Sequence, residues 1–115
     1  MSIKFNQYDN KLVVENKNIV FDHDIRYIVE VNDTLIVLLS IPNNVRYLNN
    51  VFGINHNGTI KWRIQSVGDV FPVKNQLPYE NLMVHGTEVF VSDFYGRRFS
   101  LNPINGEILS SDVVK

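Results

Sequence analysis

The stretch INHNGTIKW, residues 54–62, predicts a β-hairpin. Apolar and polar residues alternate on both sides of Asn57-Gly58, and strand side chains point to the two faces of a sheet in turn. Asn-Gly is the favoured pair for a type I′ turn, because both residues tolerate positive φ. We therefore expect two strands joined at this pair. The buried face of the second strand and its continuation is predicted to consist of Ile60, Trp62 and Ile64.

The same hairpin pattern occurs twice more along the chain. Downstream, LNPINGEIL (101–109) places a turn at Asn105-Gly106. Upstream, VVENKNIVF (13–21) places one at Asn16-Lys17. The three turn asparagines are separated by 41 and 48 residues, which indicates a structural repeat.

The segments between these hairpins contain further strands. IRYIVEVNDTLIVLLSI (25–41) predicts a strand over Ile25–Val31, a turn at Asn32-Asp33 and a strand over 34–41. NLMVHGTEVFVSDF (81–94) predicts strands near 82–84 and over 87–93, joined at His85-Gly86. Each long unit is thus an antiparallel meander of four strands. The predicted fold is one all-β domain over 1–115 with about ten strands, in units of roughly 1–22, 25–65 and 81–115, packed as a sandwich or an incomplete barrel.

Composition supports this fold class and excludes several functions. The chain has no alanine, 27 valines and isoleucines, and 15 asparagines, which favours strands and turns over helices. The net charge of −1 makes nucleic acid an unlikely partner. The absence of cysteine excludes disulfides and suits the reducing cytoplasm. The longest apolar run, residues 35–39, is too short to span a membrane, so we expect no membrane association.

The segment VFGINHNGTIKWRI (51–64) resembles the repeat of PQQ-like (quinoprotein-type) β-propellers. In that repeat a strand ends in a short turn with a glycine, here Gly58, and the next strand carries a tryptophan, here Trp62. RFSLNPINGEIL (98–109) fits the same template without the tryptophan. The resemblance implies four-stranded, blade-like units, and no quinone-binding residue is carried over.

The chain contains only about two and a half such units, whereas propellers close with about four to eight blades. Three arrangements would cover the apolar sheet faces. The units pack face to face, several chains complete a ring, or a partner covers the open face. Face-to-face packing satisfies a single chain, and we therefore favour it.

No pattern typical of catalysis or cofactor binding is present. There is no G-x-S-x-G segment, and the six glycines are too scattered to form a phosphate-binding loop. His23 lies between Asp22 and Asp24, a composition that can bind zinc. Adjacent strand residues point to opposite faces, so we predict no metal site there. We expect a protein that is not an enzyme and has no cofactor.

A binding surface is predicted at DFYGRRF, residues 93–99, because aromatic rings beside arginines are common in protein interfaces. The same segment is also a predicted turn, in which Phe94 and Phe99 would belong to the core. The loop 42–50 of the first long unit repeats the pairing of arginine with tyrosine, and both loops leave their units at the same end. The candidate contacts on this shared edge are Arg46, Tyr47, Tyr95, Arg97 and Arg98.

These features favour a non-catalytic protein-binding module. One specific form is an immunity protein that neutralises a cognate bacterial toxin. Acidic side chains would then face a basic nuclease toxin, and they include Asp22, Asp24, Glu30 and Asp33. The alternatives are a carbohydrate- or nucleic-acid-binding β module, or an oligomerising propeller-like subunit.

Overall fold

The computed structural model describes residues 2–113, and within them it contains eleven β-strands and no α-helix. The predicted all-β class is therefore confirmed. One turn of 3₁₀-helix, Val67–Asp69, lies in the connection between the strands that end at Arg63 and begin at Tyr79. Residues 1, 114 and 115 of the predicted domain lie outside the described residues.

The strands form three antiparallel meanders in chain order. The N-terminal sheet consists of β1 (Phe5–Tyr8), β2 (Lys11–Val14) and β3 (Lys17–Val20). The middle sheet consists of β4 (Ile25–Val31), β5 (Thr34–Leu39), β6 (Val51–Asn55) and β7 (Ile60–Arg63). The C-terminal sheet consists of β8 (Tyr79–His85), β9 (Glu88–Asp93), β10 (Arg97–Leu101) and β11 (Ile108–Val113).

Two hairpins of the chain have the two-residue turn with positive φ at both positions. Asn32 and Asp33 have φ values of 49° and 60° and connect β4 to β5 at the predicted position. The hairpin of β2 and β3 turns at Glu15-Asn16, with φ values of 50° and 62°. The prediction of Asn16-Lys17 was wrong by one residue, because Lys17 already pairs with Val14 in the ladder.

The hairpin at Asn57-Gly58 forms, but its predicted turn type was wrong. Only Gly58 has positive φ (84°), and its N–H donates to the Asn55 carbonyl at 3.0 Å. The loop therefore has three residues, a common hairpin length with glycine in the left-handed position.

The predicted buried face of this hairpin was correct for Trp62 and Ile64 and wrong for Ile60. A register shift opposite Gly53 and Ile54 places an extra residue in β7. An extra residue reverses the alternation of side chains, so Ile60 is 53% exposed whereas Trp62 is 8% exposed.

The three sheets stack face to face in three layers, which is consistent with the predicted sandwich and with the expected face-to-face packing of the units. All six residues of β5 are buried, because the middle sheet is covered on both faces. Ile36 and Leu38 face a core shared with the C-terminal sheet. Leu35, Val37 and Leu39 face a second core shared with the N-terminal sheet. At about 2 kcal/mol for each buried aliphatic side chain, β5 alone contributes substantially to folding.

The outer face of the C-terminal sheet is polar and ends the stack. Ser100 and Ser110 share a hydrogen bond at 2.5 Å across β10 and β11. Arg98 forms a 2.6 Å ion pair with Asp112 and covers the ring of Phe90, with 5.0 Å from its Cζ to the ring centroid. A further sheet is therefore not needed to bury this face, as it would be in an open propeller.

Trp62 joins the middle sheet to the C-terminal sheet. Its indole N–H donates to the Pro103 carbonyl at 2.9 Å. Its ring lies against two glycines, where added Cβ atoms would come within 2.3 Å of the ring at Gly53 and 2.6 Å at Gly106. The turn between β10 and β11, which contains Gly106, can therefore approach Trp62 only because Gly53 and Gly106 both lack a side chain.

Asn50 joins the same two sheets at their other end. Its side chain is fully buried, and its Nδ2 donates to the carbonyls of Leu39 at 2.8 Å and Tyr79 at 2.9 Å. Its Oδ1 accepts the N–H of Tyr79 at 2.8 Å. This one amide thus satisfies three backbone groups at the start of β8 and the end of β5.

Asn50→Ala should lower the free energy of unfolding by about 3 kcal/mol, because it leaves buried backbone groups of Leu39 and Tyr79 without partners. Urea denaturation measures the change. The control is Asn43→Ala, an exposed position in the same loop, which should change stability by less than about 0.5 kcal/mol. Equal effects of the two variants would contradict the bridging role of Asn50.

Gly53→Ala should lower stability by about 2 kcal/mol, because its Cβ would overlap the Trp62 ring. Trp62 is the only tryptophan, so its fluorescence emission should shift to the red as the ring is displaced towards water. Gly86→Ala is the control for the emission: its φ of 63° makes alanine costly there too, but nothing lies within 4 Å of its Cβ position, so the emission of Trp62 should not shift. An unchanged emission spectrum in Gly53→Ala would show that the ring is not held at this glycine.

Candidate functional site

Three loops converge at one end of the stacked sheets and enclose a groove. β4 begins there at Ile25, which pairs with Leu39 at the end of β5, and β8 begins there at Tyr79, which pairs with Asp93 at the end of β9. A cavity of about 560 Å³ lies between the loops. The groove is lined by residues 41–46, Leu48, residues 76–80, Arg26, Phe94 and Tyr95.

The first wall of the groove, the loop between β5 and β6, is fixed by hydrogen bonds to its backbone. The N–H of Val45 donates to the Pro42 carbonyl at 3.0 Å and closes a turn. Arg63 donates to the carbonyls of Asn49 at 2.9 Å and Leu48 at 2.8 Å. Asn50 anchors the end of the same loop in the core. The loop is therefore held by both Arg63 and Asn50.

Asp93 shapes the turn between β9 and β10. Its carboxylate is almost fully buried, and Oδ1 accepts the N–H groups of Tyr95 at 3.0 Å and Arg97 at 3.1 Å. Gly96 completes this turn with φ of 77°, and its N–H donates to the Asp93 carbonyl at 3.0 Å. The turn therefore has one defined shape, which orients Phe94 and Tyr95.

Arg97 connects this turn to the loop that joins the middle and C-terminal sheets. Its Nε pairs with Asp93 Oδ2 at 2.7 Å. Its two terminal nitrogens donate to the carbonyls of Lys74 at 2.7 Å and Asn75 at 2.8 Å. The guanidinium also lies over the Tyr95 ring, 5.2 Å from its centroid. Arg97 is thus a positioning residue of the groove.

Phe94 and Tyr95 are the exposed aromatic residues of the groove. Their side chains are 74% and 59% exposed, and their ring centroids are 6.0 Å apart. The sequence left open whether the aromatics of this segment are core or surface residues. The structure places Phe99 in the core at 2% exposure and Phe94 in solvent.

The two loops predicted to share an edge do meet, but they bring only part of the predicted set together. Arg46 and Tyr95 line the groove, and Arg97 supports it. Tyr47 turns away towards the N-terminal sheet, where its hydroxyl donates to Asp22 Oδ2 at 3.0 Å. Arg98 lies on the outer face of the C-terminal sheet.

The acidic candidates do not form one surface. Asp22 and Asp24 lie at the groove end of the molecule, where the Asp24 carbonyl accepts the N–H of Ser40 at 2.7 Å. Asp33 lies in the turn at the far end of β4. Seven strand residues separate Asp24 from the turn at Asp33, which is about 23 Å at 3.3 Å per residue.

Sequence reasoning missed Arg26 and Glu80, both of which line the groove. The order of the strands does predict that both residues lie at this end of the molecule. In a meander, the start of the first strand lies at the same end as the loop between the second and third strands. Arg26 follows the first residue of β4 and Glu80 follows the first residue of β8, so both belong to this end.

Two tyrosines near the site, Tyr47 and Tyr79, have raised pKa values. Burial raises the pKa of Tyr79, and the nearby Asp93 carboxylate raises it further, while Arg97 opposes this. Burial also raises the pKa of Tyr47, with its hydrogen bond to Asp22 as the next cause. Both phenols are therefore neutral hydrogen-bond donors at physiological pH.

Across residues 2–113, no group of three or more histidine, aspartate and glutamate side chains is arranged to hold a metal ion. His23 instead packs edge-on against the Tyr47 ring, with centroids 4.8 Å apart. The described part of the chain also has no helix long and apolar enough to cross a membrane.

Comparison with protein families gives one match. A family model described as "Domain of unknown function (DUF7957)" matches residues 2–113. The chain belongs to the DUF7957 family. A search of curated proteins found no match. The groove and both cores of this DUF7957 domain lie within the matched range.

The stability of this DUF7957 domain should fall as the pH rises above about 10, the ordinary pKa of tyrosine. The unfolded chain releases the Tyr79 proton near that pH, whereas the folded chain retains it to higher pH. Ionisation in the unfolded state therefore favours unfolding. Urea denaturation at pH 8 to 11 should show a smaller decline for Tyr79→Phe than for wild type. Identical declines would contradict this role of Tyr79.

Proposed function

We propose that this protein is a non-catalytic recognition domain that binds a protein partner through the groove. The observation that carries the proposal is the pair Phe94 and Tyr95, exposed on a rigid turn beside a 560 Å³ cavity. Binding sites of similar volume are common in proteins. Loops on a rigid sheet scaffold are also where recognition residues are usually found.

The exposed rings favour recognition over a purely structural role. The Phe94 ring contributes little to the core, because this residue is 74% exposed. The turn itself is set by Asp93 and Gly96, so folding does not require aromatic side chains at the two positions between them. Aromatic residues of this kind contribute strongly to protein interfaces when a partner buries them.

A specific form of this proposal is an immunity protein that blocks a cognate bacterial toxin in the cytoplasm. Asp22 and Asp24 lie at the groove end and suit a basic region of such a toxin, whereas Asp33 is too distant to join them. The lack of cysteine supports the cytoplasmic location. Co-expression with a toxin encoded beside this gene tests this form, since the chain should then protect the cell.

A carbohydrate ligand is the second candidate. Exposed aromatic rings can stack on sugar rings, and the amides of Asn43, Asn44 and Gln76 line the same groove. Binding of a simple sugar to the isolated chain by calorimetry, lost in Tyr95→Ala, would favour this candidate over a protein partner.

We also propose that the three sheets are blade-like repeats related to those of PQQ-like propellers. The supporting features are the three consecutive meanders and the packing of Trp62 on Gly106, the turn glycine of the next unit. An oligomeric ring is the alternative use of such units, and a solution mass several times 13.3 kDa would support it.

A photo-crosslinking residue tests the groove directly. We expect p-benzoylphenylalanine at Phe94 to form a covalent adduct with one defined partner in the native cells, because the groove would be buried in the complex. The matched control is Ile104, which is 62% exposed in the loop at the opposite end. Adducts of equal yield from both positions, or none from Phe94, would refute binding through the groove.

A further inference from the structure

The five arginines of the chain divide into two groups by what their guanidinium groups contact. Arg63 and Arg97 hold loop carbonyls, and Arg98 is paired with Asp112. These three stabilise the fold. Within residues 2–113, Arg26 and Arg46 have no hydrogen-bond or ion-pair partner, and both line the groove. The Arg26 guanidinium lies 5.5 Å from the centroid of the neighbouring Tyr27 ring, a contact that leaves its N–H groups unpaired. The two arginines that make no such bond therefore lie at the same surface.

The groove combines these charges with apolar side chains. Its only acidic lining residue in the described chain is Glu80, so the lining has two cations against one anion. The lining also contains apolar side chains, which include Ile41, Pro42, Leu48, Leu77 and Pro78. Phe94 and Tyr95 extend this apolar surface into solvent.

We propose that the groove binds an acidic segment of the partner protein, in which a carboxylate contacts Arg26 or Arg46 and an adjacent apolar side chain packs on Phe94 and Tyr95. This inference rests on the proposed protein-binding function and specifies the chemistry of the ligand. Guanidinium groups bind carboxylates with charge-assisted hydrogen bonds, which are stronger than neutral ones. The groove and the acidic residues Asp22 and Asp24 would then contact different regions of one partner.

The charge distribution favours a peptide over a nucleic acid. A polyanion bound in the groove would be repelled by the Glu80 carboxylate, and the chain as a whole has a net charge of −1. Nucleic-acid sites normally have a marked excess of positive charge. A single carboxylate beside apolar side chains is repelled by Glu80 less than a chain of phosphates would be, and it uses the apolar lining.

The test uses peptides selected from a random library displayed on phage, with the full chain immobilised. Selected peptides should be enriched in aspartate or glutamate next to leucine or an aromatic residue. Fluorescence anisotropy with the best selected peptide then measures Kd for the variants Arg26→Gln, Arg46→Gln, Glu80→Gln and Lys4→Gln. Lys4 is the matched control, an exposed cation just before β1, at the opposite end from the groove.

At least one of the two arginine variants should weaken peptide binding about tenfold, as expected when a charged hydrogen bond is lost. Glu80→Gln should tighten binding several-fold, because it removes the repelling carboxylate. A gain in affinity cannot arise from misfolding, so this variant separates ligand charge from structural damage. Lys4→Gln should leave Kd unchanged.

Four outcomes would overturn the inference. In the first two, the library yields only basic or uncharged peptides, or none, or Lys4→Gln weakens binding as much as the arginine variants do. In the other two, Glu80→Gln binds more weakly than wild type, or a single-stranded oligonucleotide displaces the peptide. The crosslink from Phe94 separates this inference from the proposed function. An adduct that forms equally well in Arg26→Gln and Arg46→Gln would refute the acidic ligand and retain the groove, whereas no adduct in wild type would refute the groove itself.

Discussion

The structure depends on the burial of one strand on both of its faces. Every side chain of β5 (Thr34–Leu39) is shielded from water, and five of the six are large and aliphatic. Strand side chains alternate, so one covering sheet could bury only half of them. The N-terminal and C-terminal sheets therefore have to pack on opposite faces of the middle sheet. This requirement explains why a short chain forms three layers and not the usual two.

The same stacking creates the groove. Since all three sheets are meanders, the loops that follow equivalent strands leave at the same end, and stacking brings two of them together. Asn50 fixes the distance between the middle and C-terminal sheets at that end through its bonds to Leu39 and Tyr79. Arg97 then ties the connecting loop to the turn that carries Tyr95. A rigid frame thus supports a polar and aromatic opening, an arrangement suited to recognition.

The success of sequence reasoning varied with the range of the interactions involved. The turn at Asn32-Asp33 was predicted correctly because local conformational preference decides it. The exposure of Ile60 was predicted wrongly, because the extra residue in β7 follows from how that strand pairs with β6. The sequence also could not show that Arg46 lines the groove and Tyr47 does not, since neighbouring residues of the loop face different sheets.

The sequence by itself determined that the chain forms strands and turns in repeated meanders, with no helix. Its lack of alanine, its β-branched residues and its regularly spaced asparagines act locally, within a few residues along the chain. Only the tertiary structure decided which side chains remain available at the groove. Arg97 is occupied and Arg46 is not, because the carbonyls of Lys74 and Asn75 reach Arg97 only once the connecting loop has packed on the C-terminal sheet. Such pairings depend on residues more than twenty positions apart, and no local pattern encodes them.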